Sequence, residues 1–329
     1  MKHLCWIAFL ALTYASTAYG EDNHHAVPTL KNQGKTVVTV EENTVTLTFG
    51  PIDLPVGHAG ELAASMPMHY FQLPRDMYMV SFKSHVFTQD GVTLPNKYLH
   101  HILLVNTAKE SVSCQGEPLF FAGAGLEMVH TRFPPGYGVK LEKDQKLMAV
   151  VAFYHKVPPT EDVMATFTME MAPEGVPIQQ MDVYQVGVNI VCYSKFGERG
   201  PDQTDEGIRI NPGVTVLSAP LKFRMDGCVK FAYPHGHDEL LLITLDNIST
   251  GRTLLRTVPD VDQDGTLLAF PPHQLYRDRR GFSVNTQDDY EVSMVYHHPL
   301  HNPNQHHGMG NYLLYMTPGT CPGEVAGLR

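Results

Sequence analysis

The chain has 329 residues, of which 43% are hydrophobic and 18% charged, and it carries a formal net charge of -10 at pH 7. The length and apolar fraction allow about two domains with sizeable cores and exclude a disordered protein. The acidic balance, with lysines and arginines scattered along the sequence, argues against a nucleic-acid partner.

The first twenty residues predict an export signal. Lys2 precedes an apolar run from Leu4 to Leu12, and the small-residue pattern Ala18-Tyr19-Gly20 follows it, as in cleaved signal peptides. The run is shorter than the roughly 20 apolar residues that span a bilayer, and no later stretch approaches that length. We expect residues 1–20 to be removed and the mature protein to be secreted, extracellular or periplasmic, with no membrane span.

Short runs rich in β-branched and aromatic residues recur between turn signals, and no long segment shows helical periodicity. This pattern predicts an all-β protein. The runs are Thr36 to Phe49, Met77 to Phe87, Tyr98 to Asn106, Lys146 to His155, Met164 to Met171, Tyr184 to Cys192, Cys228 to Tyr233, Glu239 to Asp246, Tyr290 to His297 and Asn311 to Met316.

A domain boundary is predicted at the segment Ala172 to Pro177, where two prolines and a glycine separate two strand-rich halves. Each half suits one antiparallel β-sandwich. We therefore expect an N-terminal extension over 21–35, an N-terminal sandwich over 36–173 and a C-terminal sandwich over 174–325. The stretch from His297 to Gly310, rich in His, Asn and Pro, predicts a loop.

Four cysteines remain after the signal: Cys114, Cys192, Cys228 and Cys321. In an oxidising compartment they allow two disulfides, and the sequence leaves all three connectivities open.

His235-Gly236-His237 ends a strand-like run, and residues two apart in a strand project from the same face. Both imidazoles could therefore converge on one metal ion, although two exposed loop histidines are the simpler alternative. Met309, flanked by glycines, could add a soft thioether that favours Cu(I) over zinc or iron, although most methionines pack in cores.

His100 and His101 are adjacent in a run of strong strand character, where neighbouring side chains face opposite ways. Ligation of one metal by both requires a β-bulge or a strand end. Without one, a single histidine faces the core and the other faces solvent. His155, at the end of the apolar run Met148 to Tyr154, could complete an all-nitrogen site, although a lone histidine there is more often structural.

The order His-His, single His, His-x-His and Met resembles the copper type II, ascorbate-dependent monooxygenases, the family of peptidylglycine α-hydroxylating monooxygenase and dopamine β-monooxygenase. The segment His100-His101-Ile102-Leu103-Leu104 is similar to that family's HHMLL segment. Further similar blocks are Phe133-Pro134-Pro135-Gly136-Tyr137-Gly138, Phe231-Ala232-Tyr233 and Met309-Gly310-Asn311-Tyr312.

The resemblance implies two jelly-roll-like sandwiches with a copper-bearing cleft between them. It assigns an electron-transfer copper to His100, His101 and His155. A second copper, which binds dioxygen and substrate, goes to the catalytic residues His235, His237 and Met309. Ascorbate would reduce both copper ions, and one oxygen atom would enter a carbon–hydrogen bond of a small organic or peptide substrate.

Departures from the family pattern limit which properties of the family can be expected of this chain. Tyr233 and Pro234 stand where the peptide-amidating members carry a substrate-binding arginine, so glycine-extended peptides are not predicted as substrates.

A non-catalytic copper-binding or interaction protein on the same fold is the alternative. A cupin is disfavoured because Glu239 follows His237 too closely, and a cupredoxin because Cys321 comes after Met309. The histidines His297, His298, His301, His306 and His307 favour a solvated polar loop over an auxiliary metal patch.

Overall fold

The computed structural model describes residues 34–54, 62–66, 68–114, 116–127, 129–154, 157–188, 203–204, 207–263, 265–300 and 306–323. Within these ranges the chain forms strands and two single 3-10 turns, Asn96–Tyr98 and Pro272–Gln274, and no α-helix. The prediction of an all-β protein is confirmed. No helix in the described part of the chain has the length and apolar character needed to cross a membrane. The predicted signal peptide, Cys192 and His155 lie outside the described residues.

The N-terminal half forms two facing sheets. One has the strand order β1-β2-β11-β5-β9-β12, with β8 on β5, and the other has the order β3-β10-β6-β7, with β4 on β10. The strands are β1 Lys35–Glu41, β2 Thr44–Leu54, β3 Leu62–Ser65, β4 His69–Phe71, β5 Met77–Thr88, β6 Leu99–Glu110, β7 Pro118–Gly125, β8 His130–Arg132, β9 Tyr137–Leu141, β10 Leu147–Tyr154, β11 Thr160–Met171 and β12 Gln179–Gln180.

The C-terminal half repeats this architecture with sheets β13-β25-β17-β22 and β16-β23-β18-β19, and two small sheets, β14-β15-β24 and β20-β21. The strands are β13 Asp182–Val188, β14 Gln203–Thr204, β15 Gly207–Ile210, β16 Gly213–Leu221, β17 Gly227–Gly236, β18 Leu240–Asn247, β19 Arg252–Thr257, β20 Asp260–Val261, β21 Leu267–Ala269, β22 Tyr276–Val284, β23 Tyr290–His298, β24 His306–Gly308 and β25 Gly310–Pro318.

The two-residue period of the strands builds the cores. In β2, Val45, Leu47 and Phe49 are buried, whereas the threonines between them are partly exposed. Alternation of this kind directs one face of each sheet into a core and leaves the other toward water. Two apolar clusters result, one in each half of the chain. The β-sandwich character predicted for both halves is therefore confirmed, while the domain limits stay a prediction.

The sheet β13-β25-β17-β22 is apolar on both faces. Ala232 and Leu314 pack into the C-terminal core, whereas Phe231 and Tyr315, from the same strands, pack into the N-terminal core. The rings of Phe133 and Tyr315 are 4.6 Å apart across this junction. We call this junction of the two sandwiches the seam. Its apolar packing fixes where the end of β17 lies relative to the N-terminal sandwich.

One disulfide joins Cys228 at the start of β17 to Cys321 beyond β25. Cys114 is also disulfide-bonded, and its partner lies outside the described residues. Structural disulfides persist in oxidising compartments, so the expected redox environment agrees with the structure.

The predicted loop from His297 to Gly310 is partly wrong. Strand β23 continues through His298, which is 1% exposed, and β24 covers His306–Gly308. The solvated-loop interpretation fails for His298 because its ring has a buried carboxylate partner, described below. Composition alone could not reveal that partner.

Candidate functional site

The adjacent histidines of β6 lie at a β-bulge. Ala152 of β10 pairs with His101, but the next residue, Phe153, pairs with Leu99, so His100 is the extra residue on β6. A bulge of this kind re-aims a side chain. The ring centroids of His100 and His101 are only 4.2 Å apart, too close for rings on opposite faces of a sheet. The β-bulge that the sequence requires for the two rings to meet is therefore present.

The second histidine pair, His235 and His237, lies at the end of β17, on the side of the strand that packs against the N-terminal core. Phe231 and Tyr233 pack against the N-terminal core, and alternation places His235 and His237 on the same side. Their ring centroids are 5.5 Å apart and nearly perpendicular. Gly236, between them, faces the other way, where a Cβ atom would lie 2.4 Å from Cδ2 of Leu240. Only glycine fits that close approach without displacing Leu240.

The two pairs meet across the seam. The ring centroids of His100 and His237 are 5.9 Å apart, and the Tyr154 ring stacks on His100 at 5.6 Å with an interplanar angle of 8°. Four imidazoles and one phenol from both sandwiches thus form a single group, which we call the histidine cluster: His100, His101, His235, His237 and Tyr154.

A buried carboxylate orients one member of the cluster. Glu127 follows β7, and its side chain is only 4% exposed. The Nδ1 group of His235 donates a hydrogen bond of 2.5 Å to Oε1 of Glu127. A carboxylate on Nδ1 selects one tautomer and ring orientation, and Nε2, on the opposite edge of the ring, is then the basic nitrogen. The His235 side chain is 21% exposed, so this ring is partly accessible to solvent.

Gly125 makes room for that carboxylate. A Cβ atom at Gly125 would lie 2.7 Å from Oε2 of Glu127 and 3.0 Å from the backbone oxygen of His100. Any larger residue at this position would therefore push Glu127 away from His235 or displace the bulge that carries His100.

Burial keeps His101 uncharged. Desolvation lowers the pKa of His101 to about 3, and the nearby His235 adds to the shift, so His101 is neutral at physiological pH. Burial also raises the pKa of Tyr233 well above its ordinary value, with the charge of Glu127 acting in the same direction. Tyr233 is therefore a neutral phenol beside the carboxylate.

The structure brings together four of the six residues predicted as metal ligands: His100, His101, His235 and His237. His155 lies outside the described residues. Met309 precedes β25, whose ladder with β17 ends at the pair Gly236 and Gly310. Its backbone is therefore near His237, and its carbonyl oxygen accepts a hydrogen bond of 2.8 Å from Tyr296. The roles of the six residues as metal ligands stay predictions.

The described residues do not fit the expected pair of copper centres. No group of three or more His, Cys, Asp or Glu side chains among them is arranged to hold a metal ion. The two histidine pairs form one cluster across the seam instead of two separate sites.

Sequence reasoning missed Glu127, Gly125 and Tyr154. Glu127 is 108 residues from His235, and no motif around it marks a buried carboxylate. Tyr154 ends an apolar run that drew attention only because His155 follows it.

No protein-family model and no curated protein matches this sequence. The chain is similar at a low level to several solved structures. With recombinant peptide:N-glycanase F (PNGase F) it shares 9% identity at a TM-score of 0.39, over 84% of this chain and 96% of that one. With PNGF-II, in two crystal forms, it shares 9% identity at TM-scores of 0.37 and 0.34, over 88% and 89% of this chain and 66% of that one.

These findings correct the interpretation as a copper type II monooxygenase. That family is represented neither among matching family models or curated proteins nor among these similar structures, and the described residues form no metal site. The assignment as a copper oxidoreductase is wrong, and the non-catalytic copper protein fails on the same absence of a metal site in the described residues. Copper, ascorbate and dioxygen stay predictions, as does a small-molecule or peptide substrate.

Proposed function

We propose that the protein is an exported hydrolase in which His235, oriented by Glu127, is the general base. The observation that carries this proposal is the 2.5 Å hydrogen bond from Nδ1 of His235 to the buried carboxylate of Glu127. An imidazole held in this way is the arrangement by which acid–base enzymes move protons at neutral pH.

In the proposed reaction, Nε2 of His235 removes a proton from a water molecule as its oxygen attacks the carbonyl carbon of an ester or amide. The new carbon–oxygen bond forms, and the carbonyl π electrons move to its oxygen. The imidazolium then returns the proton to the leaving group as its bond to carbon breaks. The Glu127 carboxylate accepts the hydrogen bond from Nδ1 of His235 and stabilises the imidazolium, as the carboxylate of a serine hydrolase triad does.

The rest of the cluster supports this chemistry. Because the pKa of His101 is lowered to about 3, this neighbour adds no positive charge that would oppose formation of the His235 imidazolium. The His237 ring lies beside the proposed base, with its centroid 5.5 Å from that of His235, and the His100 ring lies 5.9 Å from His237.

Export is part of the proposal. It is supported by the signal-like residues 1–20 and by the disulfide between Cys228 and Cys321, which suits an oxidising compartment. Mass spectrometry of protein from the culture medium of an expressing host should give an N-terminus at Glu21. Retention inside the cell with residues 1–20 attached would contradict export.

The enzymatic test is hydrolysis of a panel of fluorogenic esters and amides by the purified protein. Replacing His235 by Gln or Glu127 by Gln should lower the rate about 10²-fold or more. The matched control is His273→Gln, at an exposed histidine of the C-terminal half. Turnover that survives both substitutions would exclude His235 as the base.

A further inference from the structure

We infer that Glu239 and His298 are a positioning pair that holds His237 against His100. This inference rests on the hydrolase proposed above, because it assigns a role within the same cluster. Neither residue belongs to the cluster, and both are buried.

The pair itself is well defined. Nδ1 of His298 donates to both carboxylate oxygens of Glu239, each at 2.9 Å. The side chains are 1% and 6% exposed, respectively. A buried carboxylate and a buried imidazole each carry a large desolvation cost, which their mutual hydrogen bonds offset. Removing the carboxylate would leave His298 without this acceptor in an apolar environment.

Glu239 occupies a backbone position that a glutamate rarely adopts. Its φ angle is +70°, in the left-handed region that favours glycine. It is the third residue of a turn closed by a 3.4 Å hydrogen bond from the Leu240 N–H to the His237 carbonyl. Turns with positive φ at the third residue normally have glycine there. A glutamate held in this conformation indicates a role for its side chain.

The same residue attaches the turn to two other elements. The backbone N–H of Glu239 donates to Gly265 at 2.6 Å, and its carbonyl accepts from the N–H of His297 in β23 at 3.0 Å. Together with the bond to His298, these contacts fix the turn to the end of β23. His237 is the first residue of that turn, so its ring position relative to His100, at 5.9 Å, depends on the attachment.

The test compares Glu239→Gly, Glu239→Asp and Glu239→Gln. Glycine adopts the left-handed conformation without strain and removes the carboxylate. Increased mobility of the turn in this variant therefore cannot come from backbone strain. Aspartate keeps the charge but is one methylene too short to preserve the pair. Glutamine keeps an acceptor for Nδ1 of His298 and should rescue the geometry.

The readout is the rate of carbethoxylation of each histidine by diethylpyrocarbonate, followed by peptide mass spectrometry. In Glu239→Gly and Glu239→Asp we expect about a tenfold rise at His237, which corresponds to about 1.4 kcal/mol less local stability. The exposed His273 should be unchanged. Glu239→Gln should stay near wild type. Global destabilisation would raise all histidines together, which would overturn the inference.

An unchanged rate at His237 in either folded variant would also overturn it. If Glu239→Gly does not fold, Glu239→Asp, which retains the charge, decides the question. The outcome is independent of catalysis, because carbethoxylation needs no substrate. The hydrolase proposal fails separately, if His235→Gln leaves hydrolysis intact.

Discussion

Glu127 and His235 come from opposite sides of the seam, which is built mainly of apolar side chains, and Oε1 and Nδ1 of these residues are 2.5 Å apart. Other polar bonds align the same junction: Tyr315 donates its hydroxyl to the Phe121 carbonyl at 3.0 Å, and Arg277 donates to the Phe133 carbonyl at 3.1 Å. The relative position of the two sandwiches is thus part of the site, because a shift of the seam by one ångström would break the bond between imidazole and carboxylate.

The first prediction concerns the tautomer of His235. Wild-type protein should show Nδ1 protonated and Nε2 basic in ¹⁵N NMR spectra at pH 8, because the carboxylate accepts from Nδ1. In Glu127→Ala this preference should be lost, and the ring should populate both tautomers. The control is Glu174→Ala, at an exposed residue. A wild-type ring protonated at Nε2 would contradict the assigned base.

The second prediction concerns Gly125→Ala. The added methyl group would meet the Glu127 carboxylate at 2.7 Å, so we expect hydrolysis to fall about tenfold or more while the protein stays folded. If Gly125→Ala has full activity, Glu127 does not require its observed position.

The third prediction concerns pH and His101. Its pKa is about 3 in the folded protein and about 6.5 when unfolded. The unfolded state therefore binds the extra proton between these values, so the free energy of unfolding is unaffected above pH 6.5 and falls as the pH drops below it. The slope from this residue is at most about 1.4 kcal/mol per pH unit.

Urea denaturation at pH 7.5, 6 and 5 of wild type and His101→Gln tests this. The difference in stability between the two proteins should change across this range, with the wild type losing more at low pH. A constant difference would show that His101 titrates normally in the folded state.

The fourth prediction concerns the seam. Tyr315→Phe keeps the ring packed against Phe133 but removes the hydroxyl that satisfies the Phe121 carbonyl. We expect a loss of about 1–3 kcal/mol in the free energy of unfolding, because a buried acceptor is left unpaired. Tyr70→Phe, at a residue that is 37% exposed, should cost much less. Equal effects would mean that the Tyr315 hydroxyl does not hold the seam.

Much of the fold was predictable. Most of the predicted runs became strands because alternation of apolar and polar residues is a local property, visible in segments such as Thr36 to Phe49. The loop predicted after His297 was wrong in part, since β23 runs to His298 and β24 begins at His306. The histidines of this stretch predicted a solvent-exposed loop. The Glu239 carboxylate that pairs with the buried His298 is distant in sequence.

The candidate site was also predictable only in part. The shared face of His235 and His237 follows from strand geometry, and the need for a bulge at His100 was deducible from the adjacency of two histidines. Glu127 was not deducible, because its partner lies 108 residues away. The family resemblance failed because the order of ligand-type residues along a chain does not specify their distances in space.

The sequence by itself determined the all-β class and which histidines are potential functional groups, since both depend on residue type and a two-residue period. Only the tertiary structure decided that two histidine pairs form one cluster and that a buried glutamate orients it. Those relationships depend on how one sheet face packs into a second core, a property of many distant contacts together. No local pattern encodes it.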